Sequence, residues 1–149
     1  MRLLLTFALA MLVHAPVWAD TTMDEALKHF NSGNSYFKEG KFDDAIPEFE
    51  EAVRLNPRFA MAYSFLGACY VSKGKYGLAI RQVEEAIKLD PQEAGYHYNL
   101  GMVYVKKDQY ELAIKPLEEA VRLNPKLAEA RKVLDQLYKL RGQRTKEDK

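Results

Sequence analysis

The chain has a single cysteine, Cys69, among 149 residues, so it can close no disulfide within itself. Tryptophan occurs once, at Trp18, and histidine three times, too few to suggest a ligand cluster by number alone. No apolar run reaches the roughly 20 residues that a helix needs to cross a bilayer. The longest, Leu3 to Val13, has 11. An excess of one charge is also missing: setting Arg2 aside, 21 basic residues face 21 acidic ones. Such balance argues against nucleic acid or an anionic membrane as the main partner. Without disulfides, hydrophobic packing has to hold the chain together, and an apolar content of 48% is enough for one core.

The 11-residue apolar run follows Met1-Arg2 and precedes Val17-Trp18-Ala19, whose small residues stand where a signal peptidase reads before its cut. Residues 1–19 are therefore expected to form a cleaved secretory signal, with the exported chain starting near Asp20 and keeping no membrane anchor. The alternative is an uncleaved anchor. No cysteine closes the stretch, so a lipoprotein cut is excluded. The expected location is periplasmic or secreted. The zero net charge hides a gradient. Residues 20–57 carry nine acids and four bases, whereas residues 126–149 carry four acids and eight bases.

What the sequence does contain is repetition. Residues 26–59, 60–93 and 94–127 align without a gap at a period of 34. Gly33, Gly67 and Gly101 fall in register, as do Tyr36, Tyr70 and Tyr104, and Ala45, Ala79 and Ala113. Each unit closes on Arg/Lys-Leu-Asn/Asp-Pro, at 54–57, 88–91 and 122–125. Within each unit the apolar spacing predicts two helices. The first should stop at Gly40 or Gly74, where glycine can take the left-handed conformation, with Asp108 as a weaker substitute. The second should end before the closing proline. Pro47 and Pro116 fall inside second helices and should bend them. Residues 128–141 begin a fourth unit, with Leu134 and Tyr138 in the leucine and tyrosine places. They read as a capping helix whose outer face is polar. Residues 142–149 read as a charged, disordered tail.

The Leu-Gly-x-x-Tyr core, the Gly-x-Tyr-x-x-Ala turn and the closing proline resemble the tetratricopeptide repeat (TPR) family over residues 26–127. Ser32 departs from the pattern where Leu66 and Leu100 keep it, and Val83 and Leu117 replace the aromatic that Phe49 provides. The resemblance implies an all-α fold: a right-handed superhelical solenoid of three helix-turn-helix units with a C-terminal cap.

Several residues invite a chemical reading that the register dissolves. Cys69 holds the place of Ser35 and Val103, which marks a small packing position rather than a nucleophile, and no histidine lies near it. Gly67 and Gly74-Lys75 have six residues between the glycines and Tyr76 after the lysine. A phosphate loop needs four, and a Ser or Thr. His29 and His97 share one repeat place with Tyr63, which favours ring packing over a shared metal. The pairs Glu50-Glu51, Glu84-Glu85 and Glu118-Glu119 recur near Arg54, Lys88 and Arg122, as solvated helix faces do. No cofactor, metal or catalytic site is expected, and the chain is not read as an enzyme.

A second stripe on the first helices is nonetheless apolar. It comprises Leu27, Phe30, Asn34 and Phe37 in unit one, Met61, Ser64, Ala68 and Val71 in unit two, and Tyr98, Met102 and Val105 in unit three, with Asn34, Ser64 and Gly95 as its interruptions. The resemblance implies that this stripe lines a concave groove that binds a peptide or a partner helix. The family's carboxylate clamp is not expected, because of its places only Asn34 matches; Phe30, Phe65, Gly95 and Asn99 hold the others. A non-catalytic interaction module or scaffold in the cell envelope is the function expected. The alternative is a structural scaffold that self-assembles head to tail, driven by the charge gradient, with a second copy of the chain as partner.

Overall fold

The computed structural model describes residues 17–147. The signal expected at residues 1–19 lies outside these except for its last three residues, which open the first helix. Among the described residues there are seven α-helices and no strand. They are α1 (Val17–Lys38), α2 (Phe42–Leu55), α3 (Ala60–Ser72), α4 (Tyr76–Leu89), α5 (Ala94–Lys106), α6 (Tyr110–Leu123) and α7 (Ala128–Glu147). None is long and apolar enough to cross a membrane.

The turn inside each unit is set by one left-handed residue. Gly40, Gly74 and Asp108 have φ of +74°, +69° and +58°. In each case the next amide reaches back to the carbonyl of the tyrosine that recurs in every unit. Lys41 N–H donates to Tyr36 at 2.9 Å, Lys75 to Tyr70 at 2.8 Å and Gln109 to Tyr104 at 2.9 Å. The left-handed residue itself donates to the carbonyl three positions before it. Together these bonds form the paired closure that satisfies the orphan carbonyls at a helix end.

The turn between units has a different cause. Asn56 and Asn124 leave the helix in an extended conformation, as a residue before proline does, and Asp90 turns out in a similar way. Their side chains then accept from the amide two residues on: Arg58 at 3.1 Å, Gln92 at 3.3 Å and Lys126 at 3.1 Å. The short polar residue before each proline therefore builds the turn that the proline begins. Pro47 and Pro116 sit inside α2 and α6 without ending them, and both helices keep the 14 residues of proline-free α4.

Helices pair within units, α1 with α2, α3 with α4 and α5 with α6. Each second helix also packs on the first helix of the next unit. In addition α1 touches α3, and α3 touches α5, so the first helices form one continuous inner wall. Close approach inside each pair depends on the register glycines. A Cβ on Gly33, Gly67 or Gly101 would come within 2.9 Å of Phe49, 2.7 Å of Val83 and 2.6 Å of Leu117. Those three partners occupy one repeat place, so the substitution of the aromatic by Val83 and Leu117 keeps the same contact. Two buried clusters result. The first is built around Phe49, Ala52, Leu66 and Cys69, and the second around Leu117, Ala120, Ala130 and Leu134.

The boundary expected at Gly142 is corrected. α7 runs on through it to Glu147, so the residues read as a disordered tail up to that point are helical. A glycine in a helix costs only about 1 kcal/mol relative to alanine, and Gly142 has no proline after it to force an end.

Candidate functional site

The inner wall is the natural place for a site, because α3 carries no charged residue and α5 carries one, Lys106. Helices of that composition bury their faces or present an apolar surface. The eleven residues expected to line the groove do not share one environment.

In unit one the stripe is largely filled from within. Phe30 is only 7% exposed and belongs to the first core cluster. Its ring centroid lies 5.7 Å from Phe49, 4.8 Å from Phe59 and 5.5 Å from Phe65. Phe37 stands edge-on to Phe42 and Phe65 at 5.6 and 5.3 Å. Phe30 is therefore a core residue and not an available groove contact. The reason is the number of rings: six phenylalanines converge between α1, α2 and α3. Ser64 needs the same correction. It is 6% exposed, and its hydroxyl accepts a hydrogen bond from Asn99 Nδ2 at 3.0 Å, which ties α3 to α5.

Four of the predicted residues do converge. Phe37, Ala68, Val71 and Met102 line a cavity of about 250 Å³ between α3 and α5, together with Ser72, Asn99, Val103 and Lys106, and with Val83 behind. Tyr98 and Val105 instead pack on the second cluster. Asn34 is half-buried. Met61 is exposed, and Leu27 stands on the free flank of α1 beside Asp24, Lys28 and Asn31. The stripe is thus a plugged stretch, an open cavity and two outlying residues. Lys106 was missed by the apolar pattern, although its isolation as the only charge within α3 and α5 is visible in the sequence.

A larger cleft, about 920 Å³, opens on the other side between α4, α5 and α6, over Ile87, Leu100 and Pro116. Its charges are mostly internally satisfied. Arg122 Nε donates to Glu119 at 2.8 Å, Lys88 pairs with Glu85, and Tyr138 donates to Glu118. Arg122 holds the Glu119 carboxyl below its usual range.

The residues that looked reactive have local roles. Cys69 is fully buried, and burial pushes its thiol up to about 12, which keeps it unreactive at neutral pH. Tyr70 donates to Glu50 at 2.8 Å, joining α3 to α2. The two histidines form hydrogen bonds rather than only ring contacts. His29 Nδ1 lies 2.7 Å from Glu48, and His97 Nε2 lies 2.9 Å from the Pro91 carbonyl. In unit three the place of Glu48 is held by Pro116, so His97 turns to the backbone.

The tetratricopeptide repeat profile matches residues 30–94 and 70–128, and the chain belongs to that family. Solved structures agree in fold. The first TPR of Spaghetti (RPAP3), bound to an HSP90 peptide, is 23% identical and has a TM-score of 0.77, with 80% of this chain and 95% of that one covered. The Arabidopsis OM64 TPR domain is 20% identical with a TM-score of 0.77, covering 79% and 98%. The second TPR domain of human RPAP3, in complex with an HSP70 peptide, is 21% identical with a TM-score of 0.72, covering 80% and 98%. Among curated proteins searched, none matches.

Proposed function

We propose that the chain is a non-catalytic interaction module, holding an apolar peptide or partner helix against its inner wall at the α3–α5 cavity. The carrying observation is that Ala68, Val71 and Met102, all partly exposed, line an open apolar hollow on two helices that carry only one charge between them. Exposed apolar concavities of this kind mark binding surfaces. The structural relatives bound to HSP90 and HSP70 peptides support the use of such a wall for peptides, although Phe30, Phe65 and Gly95 hold places at which the family's clamp would need polar or charged groups. Residues 1–19 support export, so we place the module in the cell envelope.

The test is a photo-crosslinker introduced at Met102, with a second at Leu112 as control. Leu112 is equally apolar and 54% exposed, but it sits on α6 outside the wall. In cells of the source organism, position 102 should form a discrete adduct and position 112 should not. Equal yields at the two sites would defeat the assignment. Cell fractionation with N-terminal sequencing of the exported form tests the location.

Self-assembly is the second reading, favoured by the opposite charge of the two ends. The end surfaces weigh against it. The free flank of α1 presents Asp24, Lys28, Asn31 and Ser35 around a single large apolar side chain, Leu27, and that of α7 presents Arg131, Lys132, Asp135 and Lys139, so both flanks are mainly polar. Light scattering at low and high salt decides, since a monomer at both contradicts the scaffold.

A further inference from the structure

Cations at the helix ends of this array fall into two sets. On the outer edge, Arg54, Lys88 and Arg122 close α2, α4 and α6, and each is paired with a glutamate three residues before it: Glu51, Glu85 and Glu119. The helix dipole alone would favour a cation at each of these ends, and the paired carboxylate then cancels its charge toward solvent. On the inner edge the pattern breaks. Lys38 closes α1 and Lys106 closes α5, with Lys107 following; all three are exposed, and none has an ion pair among the described residues. The acids nearest in sequence are already engaged: Glu39 with Lys41, Asp43 with Lys73, and Asp108 with the Tyr110 hydroxyl. Asp44 and Glu111 remain, on the first turns of α2 and α6.

Lys106 is also the one charged residue lining the 250 Å³ cavity, and neither α3 nor α5 contains an acid. Resting on the reading above, we infer that the partner segment is acidic as well as apolar. Its apolar side chains seat between Ala68, Val71 and Met102, and a carboxylate on its flank pairs with Lys106, with Lys107 and Lys38 attracting further acids alongside. Lys106 stands at the turn end of α5 and is not one of the places at which the family's carboxylate clamp would stand; those here carry Phe30, Asn34, Phe65, Gly95 and Asn99, of which Asn99 lines the same cavity. The charge selection follows from complementarity: a basic segment would meet Lys106 and no acid on α3 or α5, and like-charge juxtaposition discriminates against a wrong partner.

Three synthetic amphipathic peptides test this. Each is roughly 15 residues long, the length at which an isolated helix is marginal and packing of its apolar face completes it, and they share one leucine face while their flanks are all Glu, all Gln or all Lys. Binding is read by fluorescence anisotropy at low and high salt, with light scattering on the same samples. Exposed ion pairs are worth up to about fivefold each. The Glu peptide should therefore bind on the order of tenfold more tightly than the Gln peptide at low salt, and the gap should close at high salt. Lys106→Gln should lower the preference by roughly three- to fivefold and leave Gln-peptide affinity unchanged, and Lys106→Glu should favour the Lys peptide. Lys115→Gln, in the outer cleft, should change nothing.

Equal binding of the Glu and Gln peptides would overturn the charge selection and leave the apolar groove standing. A preference that moves with Lys115 rather than Lys106 would overturn it by placing the ligand in the outer cleft. A dimer of the protein that excludes the peptides would overturn it in favour of a second copy. If no peptide binds, the groove reading falls with it.

Discussion

The first and second halves of the inner wall are built on the same repeat and end as opposites. Between α1 and α3 the wall is filled by its own rings, with Phe30, Phe37, Phe49 and Phe65 in mutual contact. Between α3 and α5 those ring places are refilled with smaller side chains. Ser64 stands in the place of Phe30, Val71 in that of Phe37, Val83 in that of Phe49 and Asn99 in that of Phe65, which leaves the 250 Å³ hollow with Phe37 on its lining and Lys106 at its rim. An array whose units share a backbone can therefore divide labour by side-chain volume alone: one half anchors the solenoid and the next stays open for a ligand.

Truncating the plug should therefore be far more damaging than truncating the hollow. Phe49 has no exposed surface and touches Phe30, Phe65 and the Gly33 backbone region, so Phe49→Ala should cost about 3–5 kcal/mol. Met102→Ala enlarges a cavity already open to solvent and should cost well under half of that. Denaturant unfolding of the two variants measures the ratio, and comparable losses would mean that the hollow is closed in solution.

Alkaline pH offers a second separation, because buried neutral acids lie in the plugged half. Cys69, ordinarily near 9, is pushed up to about 12 by burial. Tyr70, ordinarily near 10, is also pushed up to about 12, by burial and by its bond to Glu50. Both folded values exceed the unfolded ones, so the stabilisation is complete below pH 9 and is lost as pH rises from 9 toward 12. Unfolding free energy should fall with pH across that window. The double variant Cys69→Ala/Tyr70→Phe should flatten the curve, with a residual slope from Tyr96 and Tyr138, whose values are also raised. An unchanged slope in the double variant would refute the attribution.

The open half keeps its helix pair close in the same way as the rest. A methyl on Gly101 would sit 2.6 Å from Leu117 Cγ, a branch point rather than a flexible tip, and 3.4 Å from the Ala113 carbonyl. Gly101→Ala should cost about 1–3 kcal/mol despite its gain in helix propensity. Since α5 would be displaced, it should also weaken Met102 crosslinking. Loss of stability with crosslinking intact would show that the hollow does not depend on the close pairing beneath it.

How far the sequence reads ahead depends on how local the cause is. The 34-residue register placed the glycine contacts, the turn residues and the closing prolines, because each acts within one unit through backbone conformation or a single close approach. The inner stripe was legible as apolar but not as plugged or open. That depends on which rings from α1, α2 and the turn before α3 fill a common space, and helical periodicity contains no such information. Phe30 and Ser64 were misplaced for this reason, one buried by rings from three elements and the other by Asn99 thirty-five residues on. Gly142 failed differently, since a glycine marks a helix end only when something next to it requires one. Lys106 is legible as the only charge within α3 and α5, but apolar periodicity gives no weight to a charged position at a helix end.

The smallest effect expected separates the turns of the two halves. Units one and two close their first helix with glycine, whereas unit three uses Asp108 at φ +58°. A side chain in the left-handed region costs about 1–2 kcal/mol, less for Asp, which can bond locally. Here its Oδ1 accepts from Tyr110 at 2.8 Å. Asp108→Gly removes the steric cost and this one exposed bond, so a gain of about 0.5–1 kcal/mol should remain, read as a small rise in Tm. The substitution also deletes the acid closest in sequence to Lys106, which should strengthen Glu-peptide binding slightly without altering binding of the Gln peptide. A stabilised variant with unchanged peptide selectivity would show that Asp108 is only a turn residue. A shift in both would mean that unit three gives up a better turn in order to temper the charge at the rim of its groove.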